Sequence, residues 1–198
     1  MKLDDRDIRR ALLERISSYK DCFVYEEVTV PSGKARADLV AINGHVTAYE
    51  IKSDYDSLGR LSSQIEEYDL NFERNYIVVG EKFKEKVRDT VPEHWGIILV
   101  EQTTHGKITL SFSRQAKLNP NLSFKNFLGL LTANQLKTIA KKNTNLTRRY
   151  SRTDIQKMFK QDVIECLESF CNKTSKIELK KIVREILKFK ENVEPLKS

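Results

Sequence analysis

The sequence has no apolar run approaching the roughly 20 residues that a membrane span needs. Its first residues, Met-Lys-Leu-Asp-Asp-Arg-Asp, lack the apolar stretch of a signal peptide, so a cytoplasmic location is expected. Cysteine is scarce: Cys22, Cys166 and Cys171 form an odd set with no zinc-type spacing, which excludes a disulfide scaffold and a zinc ribbon. The three histidines, His45, His94 and His105, stand far apart, so a histidine-based metal site would need long-range convergence. There is no internal repeat and no low-complexity tract.

Charge is plentiful and unevenly placed. The chain of 198 residues carries a formal net charge of +7. Residues 1–113 hold 16 Lys/Arg and 20 Asp/Glu, a net of −4, whereas residues 114–198 hold 19 and 8, a net of +11. The acidic part could hold a cation and the basic part a polyanion, because displacing counterions from a phosphate backbone favours binding to lysine and arginine. A solvated lysine-rich helical surface is the competing explanation.

Hydrophobic periodicity sets the expected elements. Ile8, Leu12 and Ile16 predict a helix over 7–17, and Asp4, Asp5 and Asp7 suit its positive end. Strands are predicted over 23–30, 37–42, 45–52 and 76–79, with a hairpin over 95–100 and 108–112. A helix capped by Asp56 or Ser57 should run to about Asn71, and a short one should fill 81–91. The first three strands can form an antiparallel meander, and the fourth, reached through a helix, can run parallel to a neighbour. Beyond Asn119-Pro120 only helices are expected, over 123–131, 133–142, 153–171 and 176–191. Ser151-x-x-Asp154 and Ser175-x-x-Glu178 read as capping boxes, and Ile177, Ile182, Ile186 and Phe189, with Leu179 and Leu187, as the apolar face of the last helix. The expected fold is α/β: a mixed central sheet flanked by helices over residues 1–115, followed by an all-helical basic region over 116–198.

The chemistry-bearing stretch runs from Arg36 to Lys52. Asp38 lies near the start of one strand, and Glu50 and Lys52, two residues apart, share a face near the end of the next, with Ile51 turned the other way. Strand register decides whether Asp38 joins them. A two-residue turn at Asn43-Gly44 would pair 38 with 49 and turn Asp38 away. A three-residue loop over Ile42–Gly44, with Gly44 left-handed, would pair 38 with 48 and set Asp38 diagonal to Glu50; that loop is predicted. Two carboxylates can hold a hard divalent cation that acidifies a bound water, and a lysine can position that water. A structural salt bridge between Glu50 and Lys52 is the plainer alternative.

Asp, a short hairpin, then Glu-x-Lys resembles the PD-(D/E)XK superfamily of restriction-endonuclease-like nucleases, with Ala37 where a proline is usual. The run Glu50-Ile-Lys-Ser-Asp-Tyr-Asp-Ser-Leu-Gly-Arg-Leu-Ser-Ser-Gln64 is similar to an uncharacterised, locus-named bacterial family placed in that superfamily, as are 8–14, 78–82 and 91–96. The resemblance covers roughly residues 7–125. It implies a Mg2+- or Mn2+-dependent nuclease acting on DNA, with Asp38, Glu50 and the Ile51 carbonyl on the metal and Lys52 on the attacking water. It also implies supporting roles for Gln64 and Tyr68, four apart on one helix, and for one of Glu14, Glu26 or Glu27 as a third carboxylate. Arg36, Arg60, Arg148 and Arg149 are the expected phosphate contacts. The alternative function is a weakly active or inactive module of the same fold that binds nucleic acid or a partner protein. A mobile-element setting, a homodimer or a protein partner complete the expectations.

Overall fold

A computed structural model describes residues 2–189, which fall into two compact units, one running to Leu122 and one starting at Ser123. The first unit holds α1 (Asp5–Ser17), β1 (Phe23–Thr29), β2 (Arg36–Ile42), β3 (Val46–Lys52), α2 (Leu61–Asn71), β4 (Arg74–Val79), a 3-10 turn (Glu81–Phe83), α3 (Val87–Thr90), β5 (Gly96–Gln102) and β6 (Ile108–Arg114). The six strands form one mixed sheet in chain order. β1–β2–β3 is an antiparallel meander, β3–β4 and β4–β5 are parallel, and β5–β6 is an antiparallel hairpin.

Position in the sheet explains composition. β3 is buried along its whole length and β4 nearly so, as the central strands of a sheet covered on both faces should be. β6 lies at an edge and alternates between half-buried and exposed residues. On one face, Ile8, Leu12 and Ile16 of α1 are fully buried against Leu39, Ala41, Tyr49, Ile51, Tyr76, Val78, Ile98 and Val100. Asp4 caps α1, its carboxylate accepting the Asp7 N–H at 2.9 Å.

Asp56 does not cap α2. Its carboxylate accepts the Ser53 N–H and hydroxyl at 2.8 and 2.6 Å, closing a turn, and the helix starts only at Leu61. The expected 81–91 helix is a 3-10 turn followed by the single turn of α3.

The second unit holds α4 (Phe124–Gly129), α5 (Ala133–Ala140), α6 (Thr144–Thr147), α7 (Arg152–Lys157), α8 (Lys160–Phe170) and α9 (Lys173–Lys188). Where the pattern predicts one helix over 153–171, the chain breaks at Met158 and Phe159, both extended, and Asp162 accepts the Phe159 N–H to restart it. Ser151 and Asp154 form the expected capping box, whereas α9 is capped one turn early by Asn172, which accepts the Ser175 N–H. The buried stripe of α9 is Leu179, Val183 and Leu187; Ile177, Ile182 and Phe189 of the expected apolar face are exposed. The expected helix to residue 191 ends at Lys188, with Phe189 as its cap, and 190–191 lie outside the described residues. No helix among them is long and apolar enough to cross a membrane.

Candidate functional site

The β2–β3 hairpin sets the geometry. Ile42 pairs with Val46 and Leu39 with Tyr49, around a three-residue loop in which Gly44 takes φ +69°. The loop is Asn43–His45, one residue later at each end than expected, and one further step in this register sets 38 opposite 50. Asp38 and Glu50 therefore share a face through direct opposition. The predicted 38–48 pairing is off by two, which preserves the face because strand side chains alternate with period two.

Glu50 is buried and accepts hydrogen bonds on both oxygens. Lys52 Nζ and Gln64 Nε2 each donate to Oε1 at 2.6 Å, and the Tyr68 hydroxyl donates to Oε2. Gln64 and Tyr68, one helical turn apart on α2, thus clamp that helix to β3. Tyr68 is held further by stacking on Trp95, 5.8 Å between ring centroids. Burial, and then the Glu50 charge, push the Tyr68 pKa well above the usual tyrosine range, so it stays a donor. The ion pair between Lys52 and Glu50 has side chains only 8% and 3% exposed.

Asp38 sits between this cluster and α1. Its Oδ2 accepts the Ile51 N–H at 2.7 Å, and its Oδ1 lies 3.3 Å from Arg9 Nη2. Arg9 is the residue that sequence reasoning misses. Its guanidinium lies 3.0 Å from Asp5, 3.5 Å from Glu26 and 3.2 Å from Glu27, and it also donates to the Asp38 carbonyl at 3.1 Å. Burial alone would lower its pKa; Asp5, Asp38 and Glu27 outweigh that and raise it. Asp38 is pushed up to about 6, by burial first and then by Glu50, against the opposing Ile51 N–H and Arg9. In sequence only the i, i+4 spacing to Asp5 points to Arg9; its contacts with Glu26, Glu27 and Asp38 come from strands elsewhere in the chain.

The other predicted residues scatter. Glu14 is exposed on α1. Glu27 stands in β1 with φ +54° and pairs with Arg36 as well as Arg9. Arg60 is exposed just before α2, and Arg148 and Arg149 are exposed in the helical unit. As arranged, the acidic groups of the set are engaged by the protein's own donors. Arg9 already sits against Asp38 and Glu27, Glu50 is engaged by three donors, and the Ile51 N–H donates to Asp38. Among the described residues no group of three or more His, Cys, Asp or Glu side chains is placed to hold a metal ion.

Fold and site together define an α/β protein with a six-stranded mixed sheet, a buried carboxylate–lysine cluster and a basic helical C-terminal unit. Comparison with known proteins gives the family. The model of the bacteriophage P4 protein cII family matches residues 2–194, and the chain belongs to that family. It is 27% identical to Protein cII of Enterobacteria phage P4 over 184 residues, covering 91% of this chain and 65% of the phage protein, just under two thirds of that relative's length. No solved structure matches it.

This assignment corrects the PD-(D/E)XK resemblance. The nuclease reading, the phosphodiesterase activity and the weakened-nuclease alternative fall with it. The physical reason is the brevity of the signal. An Asp and a Glu-x-Lys on two paired strands form a short pattern that a hairpin burying a salt bridge can also carry, and here that bridge is joined by Gln64 and Tyr68. The expected mobile-element setting agrees with a phage family.

Proposed function

We propose that the protein acts by binding nucleic acid, DNA first of all, through the surface of its helical unit and without cutting it. The observation that carries this reading is charge. Residues 123–189 hold 15 Lys/Arg and 6 Asp/Glu, 15 − 6 = +9. Lys142, Arg148, Arg149, Arg152 and Lys157 are all exposed within 16 consecutive residues spanning α6 and α7. Such a patch offers several phosphate contacts, the term that supplies most sequence-independent affinity. The first unit, with its buried ion pair and clamped α2, serves as scaffold.

The test is fluorescence anisotropy of a labelled DNA duplex with the full chain and with the Arg148→Ala/Arg149→Ala variant. Losing two phosphate contacts should weaken binding roughly tenfold at moderate salt. Equal affinity in the variant, or no binding by the parent protein, would overturn the reading.

A further inference from the structure

A polar cavity of about 260 Å³ opens in the first unit near the start of β3 and β4. Its floor is the paired row Ala41–Thr47–Arg74 across β2, β3 and β4, followed by Tyr49–Tyr76 on the same face. Arg15 and Tyr19, at and just beyond the end of α1, also line it, with Phe112 from β6. None of its lining residues belongs to the carboxylate–lysine cluster, and none is acidic.

Three observations point to a ligand. First, two guanidinium groups line the cavity, with no acidic side chain among the described residues that line it. Arg74 Nε is buried and has no hydrogen-bond partner, a costly state for a charged donor. Second, the aromatic wall is preformed. Tyr49 and Tyr76 stack with centroids 5.2 Å apart and planes 9° from parallel, and Phe112 meets Tyr76 edge-on at 6.0 Å. Tyr76 is fixed by donating to Gln115 at 2.9 Å and accepting the Ala116 N–H at 3.1 Å. Its ring fills space that a side chain at position 96 would need: a Cβ on Gly96 would overlap it. Third, Arg15 is carried over the Tyr19 ring at 5.4 Å, which orients its guanidinium.

We propose that this cavity binds a nucleoside 5′-monophosphate, free or as the terminal residue of a strand. Arg15 and Arg74 take the phosphate, whose oxygens suit paired guanidinium donors. The base lies against the tyrosine rings, and Asn43, Thr47 and Gln115 offer polar atoms to its edge. The volume, a little under the roughly 300 Å³ at which ligand pockets ordinarily begin, suits one nucleotide and not two. This inference is independent of the DNA surface of the helical unit.

The experiment is isothermal titration of the full chain with AMP, with adenosine and inorganic phosphate as component probes. AMP should bind saturably, adenosine at least tenfold more weakly, and phosphate should compete. Arg15→Ala, on the exposed end of α1, should weaken AMP at least tenfold, as should Arg74→Ala; if the latter fails to fold by circular dichroism, Arg15→Ala decides. Arg148→Ala/Arg149→Ala should leave AMP binding unchanged. A 5′-phosphorylated oligonucleotide binding more tightly than AMP, and displacing it, identifies the strand end as the source; AMP binding more tightly identifies the free nucleotide. No AMP binding up to millimolar concentration, or equal weakening by the Arg15 and the Arg148/Arg149 changes, overturns the proposal.

Discussion

Single side chains settle how the β2–β3 hairpin is used. Glu50 and Lys52 form a buried pair whose value lies in staying intact, because removing one partner strands the other charge in the interior. Glu50→Ala should cost about 3–5 kcal/mol, and Lys52→Ala a similar amount, both read by urea unfolding. The double variant should cost clearly less than the sum of the two, since it leaves no orphan charge; strict additivity would mean the pair is not coupled. Asp38 gives a pH signature. Its folded pKa of about 6 is raised above the ordinary value of 3.8, so the folded state holds its proton more tightly than the unfolded chain. The Asp38 contribution therefore favours folding below about pH 4 and is lost as pH rises to about 6. Replacing it in Asp38→Asn should flatten the fall in Tm across that window and raise Tm at neutral pH; a parallel pair of curves would refute the assignment. The shared face of Asp38 and Glu50 is legible in the sequence because every three-residue loop keeps the same parity. The register itself is not, since only packing chooses between Ile42–Gly44 and Asn43–His45. Arg9 is illegible for a stronger reason: its contact with Asp38 joins residues 29 apart through the docking of α1.

At the scale of elements, local chemistry explains most of what sequence reveals and most of what it hides. The meander, the parallel crossover through α2 and the final hairpin follow from strand periodicity and turn residues, and the structure has them. The C-terminal helices are read too long, because apolar spacing continues through Met158-Phe159 while the backbone does not. The signal for the break is present in Asp162, three residues beyond Phe159, which reads equally as a helix interior or as a restart. The last helix offers two apolar stripes, and only tertiary packing selects Leu179, Val183 and Leu187. Close packing also makes Gly96 an element-level constraint. Gly96→Ala pushes a Cβ into the Tyr76 ring, so it should cost roughly 1–3 kcal/mol as an overpacked core substitution. Unfolding in urea measures this, and an unchanged midpoint would show that Tyr76 can move freely. The capping box at α5 is a milder case: Thr132→Ala, which removes the acceptor for the Gln135 N–H, should cost about 1 kcal/mol.

For the molecule as a whole, charge and family membership carry the account. The acidic and basic parts are visible in composition, whereas the family is not, because Asp-x11-Glu-x-Lys is too short to name one. On the proposed reading the basic helical unit supplies the binding surface, and the α/β unit, with its buried ion pair, is the scaffold. The most direct measurement is the salt dependence of duplex DNA binding by the intact chain, with the DNA recovered afterwards from samples containing Mg2+ and run on a gel. Four or five phosphate contacts predict a slope of log affinity against log salt of about −4, with the duplex recovered uncut. A slope near zero, or a duplex cleaved by the parent protein, would contradict it.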